Sequence, residues 1–286
     1  FVFIESEEKE PSSYNYKVLA RRTRPQSLNE LIGQDHIVQA LQNMISQKRI
    51  PHAFLFTGTR GTGKTSSARI LAKALNCEKG PTAFPCQICT HCVQITQGNY
   101  EDVFEIDGAS HTGVDNIREL KESARFFPVR GRTKVFIIDE VHMLSVGAFN
   151  ALLKILEEPP DNVVFILATT ELNKVPITVR SRSIVFSFKK IDTDTLVAHL
   201  KKIITAEKIS YEEDAIKLIV REARGSVRDA LSLLEQSIAL LTGESLTLKK
   251  VKDFLGLQTD DLALKIFDSI IKKDHAAALV VLKEFD

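Results

Sequence analysis

The residues Gly58-Thr59-Arg60-Gly61-Thr62-Gly63-Lys64-Thr65 fill every position of the pattern G-x-x-x-x-G-K-[ST]. Glycines at this spacing let successive backbone N–H groups turn inward around phosphate oxygens, and a helix beginning near Lys64 aims its positive end at the same point. Lys64 would reach the outer phosphates, the Thr65 hydroxyl would ligate Mg²⁺, and Ser66 extends the phosphate-binding run. About 75 residues further on, the apolar run Val135-Phe136-Ile137-Ile138 ends in Asp139-Glu140. A buried strand of this kind carries two carboxylates to the sheet edge where open α/β sheets bind ligands. There Asp139 would hold Mg²⁺ through water, and Glu140 would orient and deprotonate an attacking water. A glycine-rich turn or a solvated strand end is ordinary taken singly; the two at this spacing imply hydrolysis of ATP.

Further side chains extend this chemistry. The run Val163 to Ala168 leads into Thr169-Thr170, where a hydroxyl would position the water or a β-forming residue would merely cap its strand. Arg182, in Ser181-Arg182-Ser183, lies away from its own phosphate loop and suits contact with a neighbour's outer phosphate. Arg228, in Gly225-Ser226-Val227-Arg228-Asp229, opens a helix and would reach back to the nucleotide. For either arginine alone, a surface salt bridge is the competing reading. All four cysteines, Cys77, Cys86, Cys89 and Cys92, fall within one short stretch. Their C-x-x-C spacing suits a closed tetrahedral Zn²⁺ site with a structural role, redox chemistry being the rival. His91 could replace one thiolate, though four cysteines make this unnecessary. Cysteines confined to one stretch do not form the framework of a secreted protein, so the setting reads as reducing and cytoplasmic.

These residues need a scaffold that brings them together. Apolar runs at Ala53 to Phe56, Val103 to Ile106, Val135 to Ile138, Val163 to Ala168 and Ile184 to Phe188 read as buried strands separated by helices, which predicts a mostly parallel sheet covered on both faces. After Phe188 the pattern is helical, over 193–208, 211–224, 227–241 and 248–254, punctuated by glycines at 225, 243 and 256. Residues 16–190 are therefore expected to form an α/β core with the cysteine insertion at 77–92. Residues 191–256 would form a helical lid, and 257–286 the start of a further helical domain. Residues 1–15 read as an N-terminal extension or an expression remnant and lack the layout of a signal peptide. No apolar run is long enough to cross a membrane as a helix. A net charge of +1 excludes a globally basic nucleic-acid binder but not a locally basic face.

The sequence resembles AAA+ ATPases, and within them the gamma/tau family of bacterial DNA polymerase III clamp-loader subunits. The resemblance lies in Val18-Leu19-Ala20-Arg21-Arg22 with Arg24-Pro25, Gly33-Gln34, the phosphate loop, the four cysteines and Ile138 to Leu144. It continues through Phe149 to Pro160, Leu167 to Thr170, Ser181-Arg182 and Gly225 to Leu233. It implies an AAA+ P-loop NTPase with a five-stranded parallel sheet, a lid and the beginning of a collar. It also implies ATP, Mg²⁺ and Zn²⁺, with Ala20, Arg21, Arg24, Pro25, Ile32 and Gln34 flanking the adenine. Thr170 would be the sensing threonine, Arg182 would act in trans and Arg228 in cis. Ser183 stands where the family usually has cysteine. The implied partners are delta, delta-prime and further gamma/tau copies, the sliding clamp and primer-template DNA. Arg118 and Lys154 are candidate DNA contacts, each with a solvated helix face as the alternative. Clamp contact would come from Leu71 to Leu75 or from the zinc loop. A branch-migration motor and a non-hydrolysing loader scaffold are the competing functions.

Overall fold

The computed structural model describes residues 18–110, 112–241, 245–257 and 259–283. The extension expected over 1–15, and Gly243 among the punctuating glycines, lie outside the described residues.

In chain order the first part contains α1 (Leu19–Arg22), a 3-10 turn (Leu28–Glu30), α2 (Asp35–Ser46), β1 (Ala53–Thr57), α3 (Lys64–Asn76), α4 (Thr90–Gln97) and β2 (Val103–Asp107). It continues with α5 (Val114–Ala124), β3 (Lys134–Asp139), α6 (Val146–Glu157), β4 (Val163–Thr169), α7 (Ile177–Arg180) and β5 (Ile184–Ser187). Every strand pairing is parallel, in the order β2-β3-β4-β1-β5. β1 and β4 are buried at every position because both are interior strands covered on two faces. β2 and β5 are the edges, and β2 accordingly admits Glu105 and Asp107.

Alternation along β1 separates two cores. Phe54 and Phe56 face α2 and α3, whereas Ala53 and Leu55 face α5, α6 and α7. On the second face Phe104, Phe136 and Phe165 stack across β2, β3 and β4 at centroid distances of 5.0 and 5.4 Å. They stand at paired positions in the ladder, so each ring adds cross-strand attraction to its burial.

The second part contains α8 (Thr193–Ala206), α9 (Glu213–Ala223), α10 (Val227–Ala239) and α11 (Leu248–Leu255) around a third core. Side-chain caps start three of these helices: Asp192 accepts from Thr195 N–H, Ser226 from Asp229 N–H and Thr247 from Lys250 N–H. Leu19, Ala20 and Ile32 pack into this helical core, so α1 lies against α10 although it precedes the sheet in sequence. Beyond Leu255, the region expected to begin a further helical domain contains α12 (Thr259–Ile271) and α13 (His275–Lys283). Lys273 takes φ 56° at the turn between them.

The sheet meets the lid at Lys189. Gln34 is fully buried; its amide N–H donates to Lys189 O at 2.7 Å and its oxygen accepts Lys189 N–H at 3.1 Å.

Candidate active site and metal centre

The loop between β1 and α3 carries φ of 145° at Gly58, 76° at Gly61 and 105° at Gly63, values that L side chains rarely adopt. A Cβ at Gly58 would also strike the Phe188 carbonyl, and one at Gly61 would strike the Ser226 hydroxyl. The second collision reflects the lid sitting on the loop: Val227 N–H donates to Gly61 O at 3.1 Å. Thr59 and Arg60 are exposed, and buried Thr62 closes the turn by donating to Thr59 O at 2.8 Å. Lys64 and Thr65 begin α3, with Ser66 half-buried beside them. The Lys64 ammonium is buried and donates to Gly58 O and Thr59 O at 2.8 and 2.9 Å. Burial lowers its pKa while Glu140 and Asp139 pull the other way.

The end of β3 faces this loop across β4. Thr65 O–H donates to Asp139 Oδ2 at 2.6 Å, so the hydroxyl and carboxylate suited to Mg²⁺ converge on one point. Glu140 takes φ 46°, a left-handed conformation that costs a glutamate energy and turns its side chain toward β4. There its Oε2 accepts Thr170 O–H at 3.0 Å and Thr170 N–H at 3.3 Å. The buried ring of His142 lies beneath, with Nδ1 3.4 Å from Glu140 Oε2 and 3.1 Å from Thr169 Oγ1, and Nε2 3.3 Å from Glu171 Oε1.

The arginines divide. Arg228, in the first turn of α10, lies over Gly61, where an added Cβ would come within 3.1 Å of its own Cβ. Arg24 is half-buried; burial lowers its pKa, and the charges of Arg69, Arg228 and Arg21 lower it further against the opposing Glu105. These side chains form a positive cluster beside the phosphate loop, with Arg69 in a two-bond ion pair to Glu105 at 2.7 and 2.8 Å. Pro25 follows Arg24, and Ala20 and Ile32 pack into the lid core. Arg182 stands elsewhere, bonded to Glu157 and to Thr178 O, both at 2.9 Å, at the approach to the β5 edge.

The four cysteine Sγ atoms lie within 4.8 Å of one another. Four thiolates at Zn–S distances of about 2.3 Å would stand about 3.8 Å apart, so the set needs little adjustment to hold zinc. Cys77 ends α3 and Cys89 caps α4, and the sulfurs of Cys77, Cys86 and Cys89 accept N–H groups of Cys86, Cys89 and Cys92 respectively, each at 3.4 Å. Backbone N–H groups of Cys89 and Ile88 bring the Cys86 thiol down to about 6, whereas burial pushes the Cys92 thiol up. His91 is not one of the group: its Nδ1 lies 2.7 Å from Asn76 O.

Arg118 and Lys154 project into solvent from α5 and α6, two helices that pack together, and Arg118 pairs with Asp115 at 2.9 Å. The expectation that Leu71 to Leu75 meets a clamp is corrected. All five residues are buried: five consecutive positions run right round the helix, and α3 is enclosed by the sheet, α2 and α4 together, so no surface remains there.

Residue types and motifs alone do not single out Lys73, His142, Asn76 or Asp102. Lys73 is fully buried amid alanines and leucines of α3, a placement that itself signals a polar partner. Asp102 accepts the N–H groups of Val129, Arg130 and Gly131 at 2.7, 2.8 and 2.6 Å, and Asn76 fastens the next two residues. Together they shape the approach to β3.

A parallel sheet in this order, with the phosphate loop after β1, the acidic pair after β3 and a helical lid, defines an AAA+ nucleotide-binding module. The same fold occurs in the solved Thermotoga maritima RuvB Holliday junction branch migration motor, at TM-score 0.61 and 21% identity over 87% of this chain and 79% of that one. Residues 33–192 match the family described as DNA polymerase III, delta subunit, and residues 195–243 the family described as DNA polymerase III clamp loader subunit, ATPase lid domain. DNA polymerase III subunit gamma of Buchnera aphidicola subsp. Baizongia pistaciae is 47% identical over 91% of this chain and 70% of its own length. DNA polymerase III subunit tau of Escherichia coli is likewise 47% identical, over 94% of this chain but 42% of its own length. The chain belongs to the gamma/tau family of DNA polymerase III clamp-loader subunits, and it spans less than half of that tau subunit.

Proposed function

We propose that this chain is the ATPase segment of a bacterial clamp-loader subunit, which uses ATP binding and hydrolysis to open a sliding clamp and place it on primed DNA. The observation that carries the reading is the meeting of Thr65 with Asp139, and of Glu140 with Thr170, under a lid whose α10 is bonded to the phosphate loop. Inward N–H groups from Gly58 to Thr65 and the Lys64 ammonium bind the phosphates, and Arg228 adds charge from the lid. Ala20, Arg21, Arg24, Pro25 and Ile32 flank the base, with Gln34 fixing the floor through Lys189. Thr65 and Asp139 would hold Mg²⁺, which supplies positive charge against the phosphate oxygens. Glu140 takes the proton of the attacking water, and Thr170 sets the direction of its carboxylate. Arg182 serves the site of a neighbouring copy, where it stabilises charge on the transferring phosphoryl group.

Cys77, Cys86, Cys89 and Cys92 hold a structural zinc. The delta and delta-prime subunits, further gamma/tau copies, the clamp and primer-template DNA are the partners, in the cytoplasm at the replisome. Arg118 and Lys154, both exposed, would be the contacts to DNA phosphates. For the clamp, the exposed side chains of Phe126, Phe127 and Val129 beyond α5, or Phe84 and Ile88 of the zinc loop, offer apolar surface.

The test is ATP hydrolysis by the assembled loader with clamp and primed DNA. Lys64→Ala is expected to lower the rate on the order of a hundredfold or more. Equal rates for wild type and variant would overturn the motor reading.

A further inference from the structure

Lys73 lies in the middle of α3 and is 1% exposed. An ammonium has three protons, and burying it is costly unless each finds an acceptor. Here they go to Gln26 Oε1 at 2.8 Å, Gln87 Oε1 at 3.0 Å and Thr96 Oγ1 at 3.3 Å. The three acceptors come from the N-terminal segment, the cysteine loop and α4.

On one side the hub leads to the nucleotide site. Gln87 Nε2 donates to Gln26 O at 2.8 Å, and Gln26 Nε2 donates to Arg24 O at 2.9 Å. Gln26 is thus gripped by both its side chain and its carbonyl, and it passes that restraint to Arg24 in the positive cluster beside the phosphate loop. On the other side the hub leads to the cysteines. Gln87 directly follows Cys86 and takes φ 67°, a left-handed conformation that a glutamine keeps only when its surroundings impose it. Thr96 O–H donates to Cys92 O at 2.9 Å. Two of the three acceptors of Lys73 are therefore placed by segments that carry the cysteines.

We infer that the cysteine loop positions Arg24 to Gln26 at the nucleotide site through Gln87 and Lys73, so that metal bound by the four thiolates supports ATP affinity from a distance. The inference rests on the zinc reading above only for the identity of what holds the loop. Gln87 and Lys73 are positioning residues; the acceptors and donors they supply reach Arg24 through Gln26. Their loss loosens the nucleotide-facing segment without altering Lys64, Asp139 or Glu140.

The test uses the full-length protein, with metal content from elemental analysis, affinity from equilibrium binding of a fluorescent ATP analogue, and steady-state hydrolysis in the assembled loader. Gln87→Ala is expected to keep about one zinc per chain and to bind the analogue roughly three- to tenfold more weakly. Its KM for ATP rises while kcat at saturation is unchanged, a split that general destabilisation does not produce. Chelation weakens wild type to a similar extent and leaves Gln87→Ala little changed. Lys73→Met, which fills the same space without the charge, matches Gln87→Ala; should it fail to fold, the half-buried Gln87 carries the test alone. Wild-type affinity in zinc-loaded Gln87→Ala overturns the inference. Lack of zinc in wild type overturns the metal reading instead, and the comparison of Gln87→Ala with wild type still decides whether the hub operates.

Discussion

Glu140 Oε2 receives both the hydroxyl and the N–H of Thr170. A carboxylate gripped in this way has a fixed direction, and the hydroxyl is the part that substitution can remove. Thr170→Val keeps the β-branched shape and the backbone N–H. It is expected to lower single-turnover hydrolysis in the assembled loader about tenfold, with nucleotide affinity nearly unchanged. A rate equal to wild type would mean that Glu140 works without this restraint. The phosphate loop, the acidic pair and the cysteines were legible because each is a run of residue types at fixed spacing. His142 and Lys73 were not, since a single histidine or lysine acquires meaning only from what surrounds it. Gln34 is expected from the resemblance to flank the adenine, but nothing in its residue type points to Lys189, far away in sequence; only the fold reveals that pairing.

The elements were easier to read than their ends. Strands buried on both faces announce themselves as unbroken apolar runs, and all five expected strands are present. The strand order was not legible, because it depends on which helix crosses which face. The contact of α1 with α10 was hidden for a related reason: Leu19 and Ala20 look like part of the segment that enters the sheet domain, yet they pack into the lid. The most sensitive junction between elements is the one of α10 with the phosphate loop. Gly61→Ala places a Cβ against Ser226 while φ is 76°. It is expected to weaken binding of a fluorescent ATP analogue by more than about tenfold, since the strain is of order 1–3 kcal/mol before the collision is counted. Undiminished affinity would show that the lid need not rest on Gly61.

At the scale of the whole molecule, Arg182 is occupied by Glu157 of its own chain and is not among the arginines clustered with Arg24 beside the phosphate loop. An arginine that completes a neighbour's site should matter only in an assembly. Arg182→Ala is expected to lower kcat of a loader containing several copies by about a hundredfold or more, while nucleotide binding by an isolated copy stays as in wild type. A loss of affinity in the isolated copy would place the arginine in its own site. The order of strands also bears on how the protein is made. β1 leaves the ribosome early, but its ladder partners are β4 and β5, with Ala53 opposite Phe165 and Phe54 opposite Ile184. Until those late strands are synthesised, β1 has two open edges and cannot join its sheet. The cysteine loop, by contrast, brings its four sulfurs together within one short stretch. During synthesis it can therefore be the first part to close, a local knot of structure waiting beside a strand whose partners have yet to emerge.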